Sequence, residues 1–480
     1  MEIREFITWA RETNSLVEID RAVDPHLELA RVMYALDGQP VLFRTLTGFP
    51  IWRAISGVCA QRQHFAAALG CAVSDLVHRM ASALANPTPP PVLDSGPCQE
   101  IVEERVDLTR LPIPRYHPHD GGRYVTSGVA VIKDPDLGRN VAFHRLMLLD
   151  ERRFAARLVE GRGTHTALGK VTDDLPVAIA IGCPIQVLLA AAMSPPKGVD
   201  ELSIAQALAP TPLVHCQTVD LEVPAEAELI LEGHITHTLT DEGPFPDLTE
   251  TMDGVRRQPV IEISRVTHRA DPIFHALLPG GLEHKNLMGM PREPTIFAAV
   301  NEVCRCTGVC ITPGGASWLH AVVQIEKQCA EDGHRAIWAA FRGHTSLKHV
   351  VVVDTDVDLY DPADVEWAIA TRFQADRDLG VLTEQPSSSL DPSATQTPGQ
   401  KARTAKMGLD ATAPLGKARR GYEKVQYKPV DLAQYGANLP ASWFRADGPK
   451  ECSQSEPFEH PYTCIELAGR SVCIMACFGV

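Results

Sequence analysis

The stretch that decides the fold is Asn140-Val141-Ala142-Phe143-His144-Arg145-Leu146-Met147-Leu148. From Val141 to Leu148 the residues are mainly apolar, which predicts a buried β-strand. Arg145 lies within this apolar run, and a guanidinium in such surroundings needs an anionic partner. The stretch therefore predicts a sheet with a charged site built into it.

A second stretch, Glu242-Gly243-Pro244-Phe245-Pro246-Asp247, carries two carboxylates on one short turn. Gly243 permits a close approach of the backbone, and the two prolines fix φ. When two acids share one guanidinium, one is expected to stay ionised while the other carries a proton near neutrality. We therefore predict that Arg145, Glu242 and Asp247 form an active site that handles protons, rather than unrelated surface charges.

Further motifs occur together with these two in a fixed order along the chain. They are Ala190-Ala191-Ala192-Met193 with Glu201, Val223-Pro224-Ala225, Val352-Val353-Asp354-Thr355-Asp356, and Lys406-Met407-Gly408-Leu409-Asp410-Ala411-Thr412. The ordered set resembles the UbiD family of prenylated-FMN-dependent carboxy-lyases. The resemblance extends approximately from residue 5 to residue 430, and the remainder of the chain matches no pattern.

The resemblance implies a mixed α/β (α+β) protein of three domains. These are an N-terminal α/β domain over residues 1–108, a central split β-barrel that binds the flavin over 109–315, and a C-terminal α/β dimerisation domain with a tail over 316–480. The residue pattern fits this order, because strand-like runs dominate residues 123–267 and strands alternate with helices after residue 319. Two helices are expected within the central region, over residues 151–160 and 199–209.

The expected chemistry requires a cofactor. Loss of CO₂ from an sp² carbon leaves an electron pair that no protein side chain accepts well, and the chain has no glycine-rich nucleotide motif. The resemblance implies prenylated FMN bound with Mn²⁺ (or Mg²⁺) and K⁺. Carried over position by position, the divalent ligands are Asn140, His165 and Glu201, and the monovalent site involves Ala190, Ala191, Met193 and Glu201. The flavin-binding residues so implied are Asn140, Arg145, Thr164, His165, Ala191, Ala192, Met193, Glu201 and Lys406.

The resemblance also implies the reaction, a reversible non-oxidative decarboxylation of an aromatic, heteroaromatic or α,β-unsaturated carboxylic acid. Arg145 is expected to face the substrate carboxylate, and Asp247, or Glu242 with it, to deliver a proton to the carbon that loses CO₂. Asp247 stands where the family often has glutamate. Two alternatives stay open: a metal-dependent hydrolase built on Asn140, His165 and Glu201, and a non-catalytic flavin-binding homologue.

Composition limits the partners. The chain has 480 residues, is 45% hydrophobic and has a formal charge of −15, which argues against nucleic acid or an anionic membrane surface as a partner. Its 13 cysteines are scattered, and no signal or membrane segment is evident, so a cytoplasmic location is expected. The expected partners are an unsaturated carboxylic acid, a flavin prenyltransferase that supplies the cofactor, and further copies of the chain in a homodimer or larger homo-oligomer.

Overall fold

A computed structural model describes residues 1–388, 390–397, 400–425, 464–467 and 470–473 of the chain. It divides into two compact units, Met1–Gln426 and Tyr427–Val480. In the part that is described, no helix has the length and apolar composition that crossing a membrane requires. No disulfide joins the cysteines of residues 1–388.

The N-terminal region packs four helices around a small sheet. Apolar residues at helical spacing bury one face of the first helix, through Ile3, Phe6, Ile7 and Ala10. The sheet has the order β1-β2-β3-β18, and its last strand comes from much later in the chain. The elements are α1 (Ile3–Glu12), β1 (Val17–Ile19), α2 (Glu28–Ala35), β2 (Val41–Phe43), β3 (Arg53–Ser56), α3 (Arg62–Leu69) and α4 (Leu76–Ala85).

The central region is dominated by one nine-stranded antiparallel sheet. Its elements, with the small strands around it, are β4 (Val92–Leu93), β5 (Ile101–Val102), β6 (Tyr124–Val125), β7 (Val129–Asp134), β8 (Gly138–Phe143), β9 (Leu146–Leu148), β10 (Arg153–Ala156), α5 (Gly163–Leu168), β11 (Leu175–Ile181), α6 (Ile185–Ala191), α7 (Glu201–Leu208), β12 (Leu213–His215), β13 (Glu222–Pro224), β14 (Leu229–Glu242), β15 (Phe245–Pro246), β16 (Met252–Asp253), β17 (Arg256–His268) and β18 (Ile273–His275). The sheet order is β6-β9-β10-β17-β14-β11-β7-β8, with β5 paired to β17.

Both faces of the central sheet are buried, which explains its continuous apolar strands. Along β11, Ala178 and Ala180 belong to the core shared with α6 and α7, whereas Val177, Ile179 and Ile181 belong to a second core on the opposite face. Small residues on the first face let the wholly buried helix α6 approach closely. This packing fixes the end of α6 beside the strands that carry the predicted site.

The C-terminal region is a five-stranded sheet between helices. Its elements are α8 (Leu282–Gly289), α9 (Glu293–Asn301), β19 (Arg305–Ile311), β20 (His320–Glu326), α10 (Asp332–Gly343), β21 (His349–Asp354), α11 (Pro362–Arg372), β22 (Leu379–Pro386) and β23 (Arg403–Asp410). Val350 and Val352 pack with α9 and α10, and Val351 and Val353 pack with α11. Short 3-10 helices span Val73–Asp75, Pro97–Gln99, Leu108–Arg110, Met290–Arg292, Pro313–Gly315 and Gly416–Tyr422.

The mixed α/β class predicted from the sequence is confirmed, and the predicted central barrel corresponds to the nine-stranded sheet. The boundaries at residues 108 and 315 stay predictions, since the sheets draw on strands across them: β18 pairs with β3, and β19 pairs with β20. Most of the tail assigned to the C-terminal domain lies outside the described residues. Within it, β24 (Cys464–Leu467) and β25 (Arg470–Cys473) form an antiparallel pair.

One predicted element is wrong. The helix expected over residues 151–160 is replaced by the strand β10, which pairs with β9 on one side and β17 on the other. Phe154, Ala155 and Ala156 are consecutive and all fully buried, as expected for a strand that is covered on both faces. Tertiary burial therefore overrides the helix propensity of the alanines, glutamates and arginines here.

The single strand expected from Val141 to Leu148 is also divided. β8 ends at Phe143 and β9 begins at Leu146, so His144 and Arg145 lie between two strands. The chain changes its pairing partner here, because the His144 N–H donates to the Gly128 carbonyl in register with β7, whereas the Arg145 carbonyl accepts from the Arg157 N–H in register with β10. Arg145 therefore lies where one strand pairing ends and the other begins.

Candidate active site

Arg145 is the centre of the site. Its Nε and Nη2 donate to the two Glu242 carboxylate oxygens at 2.9 and 3.0 Å, a bidentate pair. Its Nη1 donates to Asp247 Oδ2 at 3.0 Å, and Nη2 also donates to Asp253 Oδ2 at 2.8 Å. Burial lowers the pKa of Arg145, but Glu242, Asp247 and Asp253 more than offset it, so the pKa lies above its ordinary value. The three residues predicted from the sequence are thus brought together, with a third acid.

The turn that carries Glu242 and Asp247 is held tightly. Gly243 has φ +98°, and a Cβ there would lie 2.8 Å from the Gly254 carbonyl oxygen, so only glycine fits. The Gly121 N–H donates to the Pro244 carbonyl at 2.8 Å, and a Cβ on Gly121 would lie 2.1 Å from the Gly243 oxygen. The backbone therefore fixes where the two carboxylates point.

The carboxylates differ in their exposure. The Glu242 side chain is 0% exposed, whereas that of Asp247 is 21% exposed. Asp247 Oδ1 accepts a hydrogen bond from the Leu248 N–H, which orients its carboxylate. Asp247 is therefore the acid of the predicted pair that a small molecule can reach.

Tyr124 is a site residue that the sequence analysis missed. Its hydroxyl donates to Glu242 Oε1 at 3.1 Å and accepts from the Gly243 N–H at 3.1 Å. Its ring lies 4.4 Å from that of Phe245, and the Arg145 guanidinium carbon lies 4.8 Å from the Phe245 ring centroid. Burial, reinforced by Glu242, raises the pKa of Tyr124. Tyr124 thus binds the same Glu242 oxygen that Arg145 Nε binds.

Asp253 is the second missed residue. It lies on β16 opposite Phe245 of β15, and it accepts from Arg145 and from Arg256. Burial acts to raise the pKa of Asp253, but the hydrogen bonds from Arg256 and Arg145 hold it below its ordinary value. Asp253 is therefore an ionised counter-charge rather than a proton carrier.

His284 on α8 is the third missed residue. Its Nδ1 accepts a hydrogen bond from the Gly280 N–H at 3.0 Å, so the neutral ring carries its proton on Nε2. Burial lowers the pKa of His284, against the opposing attraction of Asp247. The site therefore has a neutral imidazole close to Asp247 and Arg145.

Two of the three predicted divalent ligands meet. Asn140 Nδ2 donates to Glu201 Oε1 at 3.2 Å, and the Val141 N–H donates to Glu201 Oε2 at 2.9 Å. Asn140 Oδ1 is buried and accepts no hydrogen bond. Burial raises the pKa of Glu201 to about 7. A buried amide oxygen without a donor, beside a carboxylate, fits an oxygen-preferring cation such as Mg²⁺ or Mn²⁺.

His165, the third predicted ligand, makes no direct contact with Asn140 or Glu201 among the contacts of the described residues. It is exposed on α5, where its Nδ1 faces the Gly161 N–H at 3.4 Å. The start of α5 does reach the site, because a Cβ on Gly163 would lie 2.4 Å from Asn140 Oδ1. No group of three or more His, Cys, Asp or Glu side chains with metal-binding geometry occurs in the described ranges; the predicted set, with its amide, contains only two such side chains.

The remaining predicted residues occupy three places. Thr164 is buried on α5, and its Oγ1 lies 2.8 Å from His144 Nε2. Ala190 and Ala191 end α6, where the Ala190 carbonyl accepts from the Met193 N–H at 3.0 Å. Lys406 on β23 donates to the Thr345 carbonyl at 2.6 Å, and burial with Lys401 nearby lowers the pKa of Lys406 to about 8.

The fold thus brings Arg145 together with Glu242, Asp247 and Asp253, and Asn140 together with Glu201. Three successive parts of the chain match a single family. Residues 7–84 match the 3-octaprenyl-4-hydroxybenzoate carboxy-lyase N-terminal domain, residues 91–282 its Rift-related domain and residues 285–411 its C-terminal domain. The chain belongs to the UbiD family, as the motif order predicted.

Two relatives of known name are similar to this chain over most of its length. The chain is 42% identical over 426 residues to anhydromevalonate phosphate decarboxylase of Methanothermobacter thermautotrophicus, covering 87% of this chain and 98% of that one. It is 41% identical over 421 residues to the enzyme of the same name from Methanosarcina mazei, covering 86% and 97%. These relatives match nearly their full lengths.

Solved structures agree with this assignment. The UbiD-class enzyme HmfF from Pelotomaculum thermopropionicum, in complex with FMN, superimposes with a TM-score of 0.86 at 36% identity, covering 91% of this chain and 100% of that one. An evolved dimeric form of HmfF in complex with prFMN gives a TM-score of 0.82 at 35% identity, covering 90% and 99%. The 3,4-dihydroxybenzoic acid decarboxylase of Enterobacter cloacae gives 0.84 at 28% identity, covering 90% and 98%.

Tyr124 provides a test of the site. Tyr124→Phe should leave the Gly243 N–H without a partner and Glu242 Oε1 with Arg145 Nε alone, and so lower turnover while costing about 1–3 kcal/mol of stability. Tyr116→Phe is a matched control, because Tyr116 is a buried tyrosine whose hydroxyl bonds to Thr126 Oγ1 and, in the described part of the chain, forms no hydrogen bond with Glu242 or Arg145. Steady-state assays of both variants measure the loss of turnover, and thermal melts measure the loss of stability. Equal turnover losses in the two variants would contradict a specific role for Tyr124.

Proposed function

We propose that this chain decarboxylates a phosphorylated α,β-unsaturated carboxylic acid with the help of prenylated FMN. Membership of a carboxy-lyase family supports the reaction, and complexes of HmfF with FMN and prFMN support the flavin. The substrate class follows from the relatives at 41–42% identity, which are named for an anhydro acid phosphate. The observation that carries the proposal is the Arg145 guanidinium bound to three carboxylates.

The charges around Arg145 support a site that can hold a proton. Three carboxylates, those of Glu242, Asp247 and Asp253, face two guanidinium groups, those of Arg145 and Arg256. One acid is therefore left without a balancing cation, and a proton on it would restore neutrality. Because Asp253 is paired with both arginines and Glu242 is fully buried, Asp247 is the acid we assign as the proton donor.

Arg145 also retains capacity for a substrate. A guanidinium has five N–H donors, and four hydrogen bonds to carboxylates are formed here. The remaining N–H can donate to the substrate carboxylate and orient it. Asp247 would then deliver a proton to the carbon that has lost CO₂. Prenylated FMN, when bound, supplies the electron acceptor that the protein lacks.

The metal assignments are also part of this proposal. Asn140 and Glu201 would hold a divalent cation, Mn²⁺ or Mg²⁺, beside the flavin phosphate, with His165 as a further ligand from α5. The carbonyls near Ala190, Ala191 and Met193 would hold K⁺ together with Glu201. The unpartnered Asn140 Oδ1 supports the first of these sites.

Two further parts of the proposal concern partners. A flavin prenyltransferase would supply the cofactor, and the C-terminal α/β region would join two copies of the chain. Light scattering of the full-length protein measures its assembly, and a strictly monomeric active enzyme would contradict the proposed dimer.

The hydrolase alternative is disfavoured because the relatives reported above are named decarboxylases. The non-catalytic alternative is disfavoured because Arg145 and its carboxylates are all retained.

The proton-donor assignment can be tested with Asp247→Asn. In protein prepared together with a flavin prenyltransferase, we expect steady-state turnover of the phosphorylated acid to fall about 100-fold or more, because CO₂ can still leave but the carbon that lost it is no longer protonated. Hydrogen–deuterium exchange at the product carbon should be lost as well. Asp241→Asn is the control, because Asp241 is an exposed acid six residues earlier that pairs with Arg257. Normal turnover by Asp247→Asn would show that Asp247 is not the proton donor and that the proton comes from Glu242 or from water.

The divalent site predicts a different defect. Glu201→Ala removes the carboxylate that Asn140 and the Val141 N–H contact, so the purified protein should contain little Mn²⁺ and little flavin. Metal analysis and flavin absorbance measure this without an assay of activity. Glu262→Ala, which removes an exposed glutamate, should retain both. Full metal and flavin content in Glu201→Ala would show that the ligand assignment is wrong.

A further inference from the structure

A second group of cationic side chains lies on the C-terminal side of the site. Arg292 ends a 3-10 helix, and its guanidinium carbon lies 5.4 Å from the centroid of the Trp318 ring. The Trp318 and His344 rings meet edge to face, with centroids 4.6 Å apart. Lys406 donates to the carbonyl of Thr345, the residue that follows His344. We call Arg292, Trp318 and His344 the basic cluster; Lys406, which the family resemblance assigns to the flavin, lies next to it.

The pKa values of His344 and Arg292 are both affected by nearby positive charges. Burial lowers the pKa of His344 to about 3, and the positive charges of Arg292, Lys406 and Arg162 contribute to this shift. Burial and the charge of Arg162 lower the pKa of Arg292 to about 10. The basic cluster thus concentrates positive charge in a protein whose formal charge is −15.

The cluster also contains polar atoms that bind nothing. Four buried side-chain atoms lack a hydrogen-bond partner: Arg292 Nε, His344 Nε2, Ser317 Oγ and Ser387 Oγ. Ser317 adjoins Trp318 in the chain, and Ser387 adjoins Ser388, whose Oγ accepts from Trp318 Nε1 at 3.0 Å. Buried polar atoms are normally paired, and a group of them in one place indicates a missing ligand.

No acid balances Arg292 in the described part of the chain. It takes part in no ion pair, and the neighbouring Glu293 is bonded to Arg62 and to the Ile311 N–H. Unpaired guanidinium and hydroxyl donors beside a lysine are complementary to a phosphate group, which has two negative charges and several acceptor oxygens.

The cluster is also placed at a suitable distance from Arg145. His284, near Asp247 and Arg145, precedes Arg292 by eight residues on a nearly continuous helical segment, which corresponds to about 12 Å along a helix axis. A short-chain acid with its carboxylate at Arg145 could therefore place a group at its other end near Arg292. The flavin phosphate, by contrast, has its own proposed partners in Lys406 and in the cation held by Asn140 and Glu201.

We propose that the basic cluster, with Ser317 and Ser387, binds the phosphate group of the substrate. This inference rests on the proposed function, since it presumes a substrate with a carboxylate at one end and a phosphate at the other. Arg292 is its main charged contact, and Trp318 holds the guanidinium in position by stacking. The site would favour phosphorylated acids over their unphosphorylated parents.

Arg292→Met removes the charge while keeping much of the side-chain volume. With loaded enzyme, we expect the KM of the phosphorylated acid to rise about 10- to 100-fold, since a charge-assisted contact is lost. The kcat/KM of the unphosphorylated parent acid should not change. Arg305→Met is the control, because Arg305 is an exposed arginine paired with Glu326. Ser317→Ala should raise the KM of the phosphorylated acid by a smaller factor. This variant provides the test if Arg292→Met does not fold.

A binding measurement separates this inference from the proposed function. Calorimetric titration of the loaded wild-type protein with inorganic phosphate should show binding, and Arg292→Met should lose it while its flavin absorbance stays normal. Failure of the wild type to turn over any phosphorylated acid would refute the proposed substrate, but loss of phosphate binding in Arg292→Met would still support an anion site. Unchanged phosphate binding in Arg292→Met would overturn the proposal. Loss of flavin from this variant would overturn it too, because the cluster would then bind the cofactor phosphate.

Discussion

The bidentate pair between Arg145 and Glu242 is the interaction on which the rest of the site depends. Glu242 is completely buried, and a buried carboxylate is tolerated only when it is paired and hydrogen-bonded. Removing one partner of such a pair typically costs about 3–5 kcal/mol, because the other charge is left uncompensated. Arg145 lies at the break between β8 and β9, and Glu242 lies at the end of β14, where the tight turn begins.

The other residues of the site can be described by their positions relative to this pair. Asp247 and Asp253 share the same guanidinium, but only Asp247 is both partly exposed and free of a second arginine. Asn140 lies on β8, five residues before Arg145, so one segment positions residues of both the proposed cation site and the proposed proton site. The basic cluster supplies positive charge at the other end, which an acidic protein needs in order to attract an anionic substrate.

The sequence was sufficient to predict the family, the mixed α/β class and the meeting of Arg145 with Glu242 and Asp247. Those residues lie in short motifs with fixed spacing. Asp253 and Tyr124 could not be recognised, because their contacts arise from the pairing of β15 with β16 and from a tyrosine on a different strand. The strand β10 was missed for a similar reason, since its helix-forming residues are buried by neighbours that are distant in sequence. His165 was predicted as a ligand from order alone, and its side chain lies at the surface.

The central claim is that the planar, forked guanidinium of Arg145, and not merely a positive charge, organises the carboxylates for decarboxylation. The turnover number of Arg145→Lys, measured on protein with a verified flavin content, tests this most directly. A lysine keeps the charge but cannot bind Glu242 in a bidentate manner while also reaching Asp247 and Asp253. We expect flavin content to persist and turnover to fall about 100-fold or more. Turnover close to that of the wild type in a fully loaded Arg145→Lys enzyme would contradict the claim.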